Sequence, residues 1–207
     1  MQVSGRRSNQ VRSEEMRDRL LAAARPLFVA HGFAGTSTPA IVAAAGVTRG
    51  ALYHHFEDKA ALLRAILERE AQAIAVAIEE VDQPEMTPVQ RLLAGAEAYL
   101  AAMSVEGRAD LLLVQGPAVL GSEEVRRIEA GHGEASLRAG LEEAVAAGAL
   151  PDLPIEALAS ILSAMFERAA LDVEAGAKAV DLLATLRAVL VGLFHSHPRG
   201  QVGRRIP

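Results

Sequence analysis

The sequence predicts an all-α chain, on three observations. Apolar residues recur at three- and four-residue spacing, as in Leu63, Ile66, Leu67, Ile74, Ala77 and Ile78. Glycine, proline or short polar breaks separate these periodic runs, with Pro84 and Pro88 marking one such break. No alternating apolar and polar pattern of the kind a half-buried strand needs competes with them.

A first helix is expected to begin after Ser13, where Glu14 and Glu15 oppose the positive end of the helix dipole. It carries Leu20, Ala24, Leu27, Phe28 and His31 on one stripe and ends at Gly32. The residues before it, including Arg6, Arg7 and Arg12, read as a polar arm. Helix two is capped by Thr38, with Pro39 suited to its first turn and Ile41, Val42 and Ala45 facing inward. Gly46 closes it, because a left-handed residue is needed where the chain leaves the helix. Val47 plugs the corner, Thr48 caps helix three, and Arg49 to Phe56 form it with Leu52 and Phe56 inward. Helix four is expected over 59–81, and further helices over 88–104, 108–119, 122–148, 154–175 and 177–194. Gly131, Gly133 and Gly140 interrupt the segment 122–148 at about 1 kcal/mol each relative to alanine, which predicts a kink, a break or a tight helix contact.

At 207 residues the chain can bury one good core or two small ones. It has no cysteine, which excludes disulfides and thiolate metal sites and fits a reducing compartment. The first 15 residues are too polar for a signal peptide, and no apolar run reaches the roughly 18 residues needed to span a membrane, so a soluble cytoplasmic protein is expected. The net charge of −5 is unevenly spread. Residues 1–64 hold nine Lys and Arg against five Asp and Glu, whereas residues 65–207 hold twelve against twenty-one. A basic head suits phosphates, and an acidic remainder discourages indiscriminate contact with polyanions. Four of the seven aromatic residues, Phe28, Phe33, Tyr53 and Phe56, lie in the first 60, where most of them must fill a small three-helix core.

Two short helices joined at a glycine turn, with aromatic and basic residues bunched on the second, form the layout of a helix-turn-helix reader of the DNA major groove. At these residues the sequence resembles the TetR family of one-component transcriptional regulators. The match runs from about Met16 to Leu67 and includes Phe28, His31-Gly32-Phe33, Gly35-Thr36-Ser37, Ile41, Ala45-Gly46-Val47, Gly50, Leu52-Tyr53, His55-Phe56, Lys59 and Leu63. Val42, where the family usually has alanine, and Pro39, early in helix two, depart from its pattern. The resemblance implies that helices one to three bind DNA, that helix four connects, and that a larger helical domain dimerises and holds a small-molecule effector.

By chemistry and by family position, Arg49 and His54 are the expected base-edge readers, and Thr36, Ser37, Thr48, Tyr53, His55 and Lys59 the expected phosphate contacts. Gly50 and Ala51 permit close approach to the groove, and the Ala51 methyl can touch a thymine methyl. The basic residues of the arm are placed to touch DNA as well. The expected partner is a near-palindromic double-stranded operator.

The last two segments carry Ile155, Leu158, Ile161, Leu162, Met165 and Phe166, then Val180, Leu183, Leu186, Val189, Leu190 and Leu193. Each is apolar over more than one face, and pairing with a second copy through these two helices would cover them. A homodimer is expected. Effector-binding candidates are Tyr99, Met103, Gln115, Met165, Phe166 and Glu167, a few polar anchors among aliphatic surfaces, with core packing the better reading of Met165 and Phe166.

Enzyme readings find no constellation: no cysteine, no glycine-rich phosphate loop, no nucleophile elbow, hence no catalytic residues and no cofactor. Glu129 and His132 have ligand spacing, but the second pair of a carboxylate-bridged metal bundle is missing, and no metal site is expected. His195 and His197 fall at a Pro, Arg and Gly-rich end. The expected organisation is an arm and DNA-binding domain over 1–58, a helical effector-binding and dimerisation domain over 59–195, and a flexible tail over 196–207. The expected function is a ligand-responsive, homodimeric DNA-binding repressor, the alternative being a helical small-molecule-binding protein or bundle enzyme with no role at DNA.

Overall fold

In a computed structural model, residues 3–130, 133–151 and 153–195 are described, and among these every regular element is helical. Helix α1 spans Val3–Gly35 and is broken at Gly32, whose φ of 67° and ψ of 169° lie outside helical geometry. It is followed by α2 (Thr38–Ala45), α3 (Arg49–His55), α4 (Lys59–Glu80) and α5 (Pro88–Met103). A short α6 (Arg108–Asp110) leads into a π-helical turn over Leu111–Gln115 and then α7 (Gly116–Leu120). The remaining helices are α8 (Ser122–Ala130), α9 (Gly133–Ala146), α10 (Ile155–Glu174) and α11 (Ala179–His195). No described helix is long and apolar enough to cross a membrane.

Two expectations shift. Helix α1 starts at Val3 rather than after Ser13, so the basic stretch expected as an arm is helical; Gln10 Nε2 donates to Glu14 Oε1 at 3.2 Å, one turn on. Helix α2 is capped by Ser37 rather than Thr38: Ser37 is extended, and its hydroxyl accepts the Ala40 N–H, which leaves Pro39 inside the first turn. The π turn was not legible in the expected helix 108–119. Pro117 has no N–H to give to the carbonyl four residues back, and Gly116 N–H reaches the Leu111 carbonyl, one residue further than an α-helix allows. The segment 122–148 divides into α8 and α9. Within α9, a Cβ at Gly140 would lie 2.9 Å from Leu92 Cδ2, the tight helix contact its glycine predicts.

The chain forms two compact units, residues 1–71 with 106–128, and residues 72–105 with 129–207. In the second, α5, α9, α10 and α11 pack around Leu92, Ala96, Leu100, Leu141, Leu162, Phe166, Leu186 and Leu190. Ile161, Val180 and Val189 of α10 and α11 stay exposed.

The first unit is built on α1, whose Leu20, Ala24 and Phe28 are wholly buried together with Leu62, Leu63 and Leu67 of α4 and Leu111 of the π turn. Its interior also holds a charge. Glu70 of α4 is 6% exposed and accepts from Arg25 of α1 at 2.6 Å and from Arg108 of α6. Arg25 also donates to the Glu106 carbonyl at 3.1 Å. Gly107 beside it has φ of 73°, and a Cβ there would collide with the Val29 side chain, so the chain can approach α1 this closely only without a side chain.

Burial pushes the Glu70 carboxyl up, but hydrogen bonds and charge from Arg25 and Arg108 outweigh it and hold the group below its ordinary value of 4.5. A depressed carboxylate contributes stability above the unfolded value and loses it as pH falls through the folded one. Urea unfolding is therefore expected to show declining stability below about pH 4.5, and Glu70→Ala, which deletes a carboxylate shared by two arginines, to cost about 3–5 kcal/mol near neutrality and to flatten that decline.

Candidate nucleic-acid interface

The interface begins with a turn that only glycine accommodates well. Gly46 has φ of 63° and ψ of 39°, its N–H reaches the Ala43 carbonyl at 3.2 Å, and Val47 N–H reaches Val42 at 3.0 Å, which closes α2 with a left-handed residue as expected. Arg19 of α1 donates to the Ala45 carbonyl at 2.8 Å, tying off the same helix end. Thr48 then caps α3 by accepting the Ala51 N–H at 3.2 Å, and Phe56 N–H returns to Leu52 at 2.9 Å. Leu52 and Phe56 are 1% and 3% exposed, as is Ile41 of α2 at 1%, so α3 is fixed from its inner side.

The opposite side carries the expected readers. Arg49, Gly50, Tyr53 and His54 are exposed, while Ala51 and His55 are half-buried. The Arg49 guanidinium lies 5.4 Å from the centre of the Tyr53 ring, and hydrogen bonds to Arg49 and Thr38 hold the Tyr53 phenol below its ordinary range. The rings of His54 and His55 meet edge to face at 5.2 Å. Burial, then the charges of His54 and Arg17, lowers the His55 imidazole below its ordinary value. Ser37 and Thr48 are exposed at the starts of α2 and α3, each hydroxyl already accepting one cap N–H and each still able to donate outward.

Two expected phosphate contacts hold other positions. Thr36 is 2% exposed, and its hydroxyl is directed at the Leu27 carbonyl at 3.0 Å and the Gly32 carbonyl at 2.8 Å. Buried in the break of α1, that hydroxyl is not presented to a phosphate, and Thr36 is a positioning residue. Lys59 gives two of its three ammonium donors to the carbonyls of Phe33 at 2.6 Å and Thr36 at 2.7 Å, over the Phe33 ring at 4.2 Å. It ties the start of α4 to the chain leaving α1, with one donor left for an anion.

Sequence reasoning missed Arg17, whose guanidinium lies 4.7 Å from the Phe56 ring centre, and the buried Glu70 with its partners Arg25 and Arg108. Glu70 did leave a signal, since it interrupts the apolar stripe between Ile66 and Ile74. The effector candidates divide. Gln115 belongs to the first unit, donating to the Phe28 carbonyl at 3.1 Å and to Asp110 at 2.5 Å. The other five belong to the second, where Met103 is 3% exposed and Tyr99 and Phe166 pack with ring centres 5.8 Å apart. Burial, with the nearby charges of Glu167 and Glu129, pushes the Tyr99 phenol up. Among the described residues no group of three or more metal-binding side chains gathers; His132 and His197 lie outside them.

Comparisons with known proteins agree with this geometry. The family of bacterial regulatory proteins, tetR family, matches residues 20–66, and the tetracyclin repressor-like C-terminal domain matches residues 89–196. A crystal structure of a TetR-family transcriptional regulator from Pectobacterium atrosepticum is similar at 31% identity and a TM-score of 0.69, over 91% of this chain and 98% of that one. The HTH-type transcriptional activator FasR of Mycolicibacterium smegmatis is 33% identical over 45% of this chain and 43% of that protein. The HTH-type transcriptional repressor AcnR of Corynebacterium efficiens is 36% identical over 31% of this chain and 34% of its own length. The chain thus spans less than half the length of these curated relatives.

Thr36→Val removes the buried hydroxyl and keeps the shape. It is expected to cost about 1–2 kcal/mol in urea unfolding. DNA affinity should then fall without any change in its salt slope, which a lost phosphate contact would lower by about one.

Proposed function

The chain belongs to the TetR family of transcriptional regulators, and from that premise we propose that it acts as a homodimeric, ligand-responsive regulator released from a near-palindromic operator by a small molecule. The observation that carries the DNA half of this reading is the outward row Arg49, Gly50, Tyr53 and His54 on a helix whose other side is buried at Leu52 and Phe56. In the proposed complex Arg49 and His54 read base edges, Ser37, Thr48, Tyr53, His55 and the third donor of Lys59 meet phosphates, and Gly50 and Ala51 keep α3 low in the groove.

The exposed Ile161, Val180 and Val189 support pairing of two copies through α10 and α11, which would cover them. Residues 1–58 would form the DNA-binding part and 59–195 the effector-binding and dimerising part, with α4 as connector. Tyr99, Met103, Met165, Phe166 and Glu167 are the proposed effector contacts, and Gln115, with its amide donors committed inside the first unit, is the weakest of the six. Repression is the proposed sign of control; of the similar proteins, FasR is named an activator and AcnR a repressor. A regulator bound to DNA in this way works in the cytoplasm.

Selection of bound duplexes from a random pool is expected to return two half-sites about one helical turn apart. Arg49→Ala should cost on the order of 1–3 kcal/mol in binding and relax preference at one position of each half-site. Unchanged affinity and unchanged selected sequences in that variant would remove Arg49 from base reading. Val180→Asp with Ile161→Asp is expected to shift the protein from dimer to monomer in sedimentation and to abolish two-half-site binding.

A further inference from the structure

Arg17 differs from five of the other arginines in the first unit. Arg25 and Arg108 share Glu70, Arg64 pairs with Glu124, Arg69 pairs with Asp18, and Arg19 caps Ala45. Among the described residues Arg17 has no carboxylate. It lies over the ring of Phe56, next in sequence to His55, and its charge acts on the His55 imidazole. Helices α1 and α3 thus seat a guanidinium on Phe56, the residue that directly follows the His55 imidazole, at the end of the recognition helix.

Among the described residues no carboxylate forms an ion pair with either group; Glu14, one turn before Arg17 on α1, is bonded by Gln10, and Glu57 follows Phe56 on the exposed surface. His54 is the neighbour on the same helix, and α2 contains no charged residue. Of the groups at the start of α4, Asp58 accepts the Ala61 N–H at 2.6 Å and Lys59 donates to carbonyls. Like charge acting on the imidazole, with no ion-paired carboxylate to offset it, disfavours its protonation, and an incoming anion reverses that preference.

We propose that Arg17 and His55 form a phosphodiester-binding point on DNA, additional to the base-reading row, and that occupation of it by a backbone phosphate is accompanied by uptake of one proton at His55. The inference rests on the DNA-binding reading above. Its consequence is that affinity for DNA rises on acidification. Fold stability moves the other way: His55 is held below its ordinary value in the free protein, so the unfolded chain binds more protons and stability falls as pH drops through that range.

The test uses the full chain and a random-sequence duplex, followed by fluorescence anisotropy between about pH 5.5 and 8 at constant ionic strength. The association constant is expected to fall with rising pH, by at most about tenfold per unit for one proton. His55→Gln should weaken binding at the acid end and flatten the profile, His55→Lys should bind tightly with a flat profile, and His54→Gln should keep most of the slope. Arg17→Gln should lower the salt slope by about one. In the DNA-free protein the same change should move the His55 ring titration, read by NMR, to higher pH.

A pH slope that survives His55→Gln, or a salt slope unmoved by Arg17→Gln, overturns the proposal. So does inorganic phosphate that moves the His55 resonance as far as the duplex does, since the site would then be one for free anions. Salt-dependent binding that is flat with pH overturns only this inference. Absence of salt-dependent binding to any duplex at any pH overturns the DNA-binding reading and this one with it.

Discussion

A seven-residue helix cannot hold its shape in water, because nucleation consumes more conformational entropy than so few hydrogen bonds return. The recognition helix, Arg49–His55, is such a helix, and α2 before it has only eight residues. Their form and direction are imposed by burial of Ile41, Leu52 and Phe56 in the core built on α1, and by caps at the ends. Much of the polar chemistry of the first unit is therefore spent on carbonyls that helices leave without partners. Thr36 takes those of Leu27 and Gly32, Gln115 that of Phe28, Arg19 that of Ala45, and Lys59 those of Phe33 and Thr36. Residues that look like DNA contacts in a list of basic and hydroxyl side chains turn out, in part, to be the struts that aim the helix.

The same distinction sorts the cations. The first unit could bind phosphate with any of its arginines, yet Arg25 and Arg108 are occupied by Glu70, Arg64 by Glu124 and Arg69 by Asp18. Glu70 is the most consequential, since one carboxylate joins α1, α4 and the start of α6, and Arg25 adds the Glu106 carbonyl to the set. A buried ion cluster is a weak source of net stability but a strict one, because any rearrangement that separates its members exposes an uncompensated charge. Gly107 against Val29 enforces the same fit through shape. Arg17 and Arg49, by contrast, rest on aromatic rings, which hold a guanidinium in place without neutralising it.

The elements that local rules govern were legible in the sequence. Gly46 had to be left-handed and is; Thr48 caps α3; Pro88 opens α5; the apolar spacing of 59–81 became α4. Failures arose where distant partners decide. Polarity suggested an arm before Ser13, but side chains spaced for i,i+4 bonding, such as Gln10 and Glu14, let the helix extend to Val3. Thr36 has the same chemistry as Ser37, and only the break at Gly32, which folds the chain over its hydroxyl, separates a buried strut from an exposed donor. Glu70 announced itself by standing in an apolar stripe, whereas Arg25, 45 residues away, had no local mark that it was the answer. The π turn followed from Pro117, a residue whose missing donor could be read but whose effect on register depends on packing.

The reach of α3 also limits how such a protein can be specific. A helix of this length touches about three or four base pairs, and each well-read pair contributes about 1–3 kcal/mol of discrimination. A genome offers about 10⁶–10⁹ competing sites, equivalent to roughly 8–12 kcal/mol. One head therefore falls short or barely suffices, and two heads held at fixed spacing add their readings. Rigid spacing is then the sensitive quantity, because a shift that prevents both heads from seating together removes one half-site's whole contribution. In the proposed homodimer, a coupling of only about 1–3 kcal/mol between effector and DNA would then be adequate for control, since it would act on a complex poised between one engaged head and two.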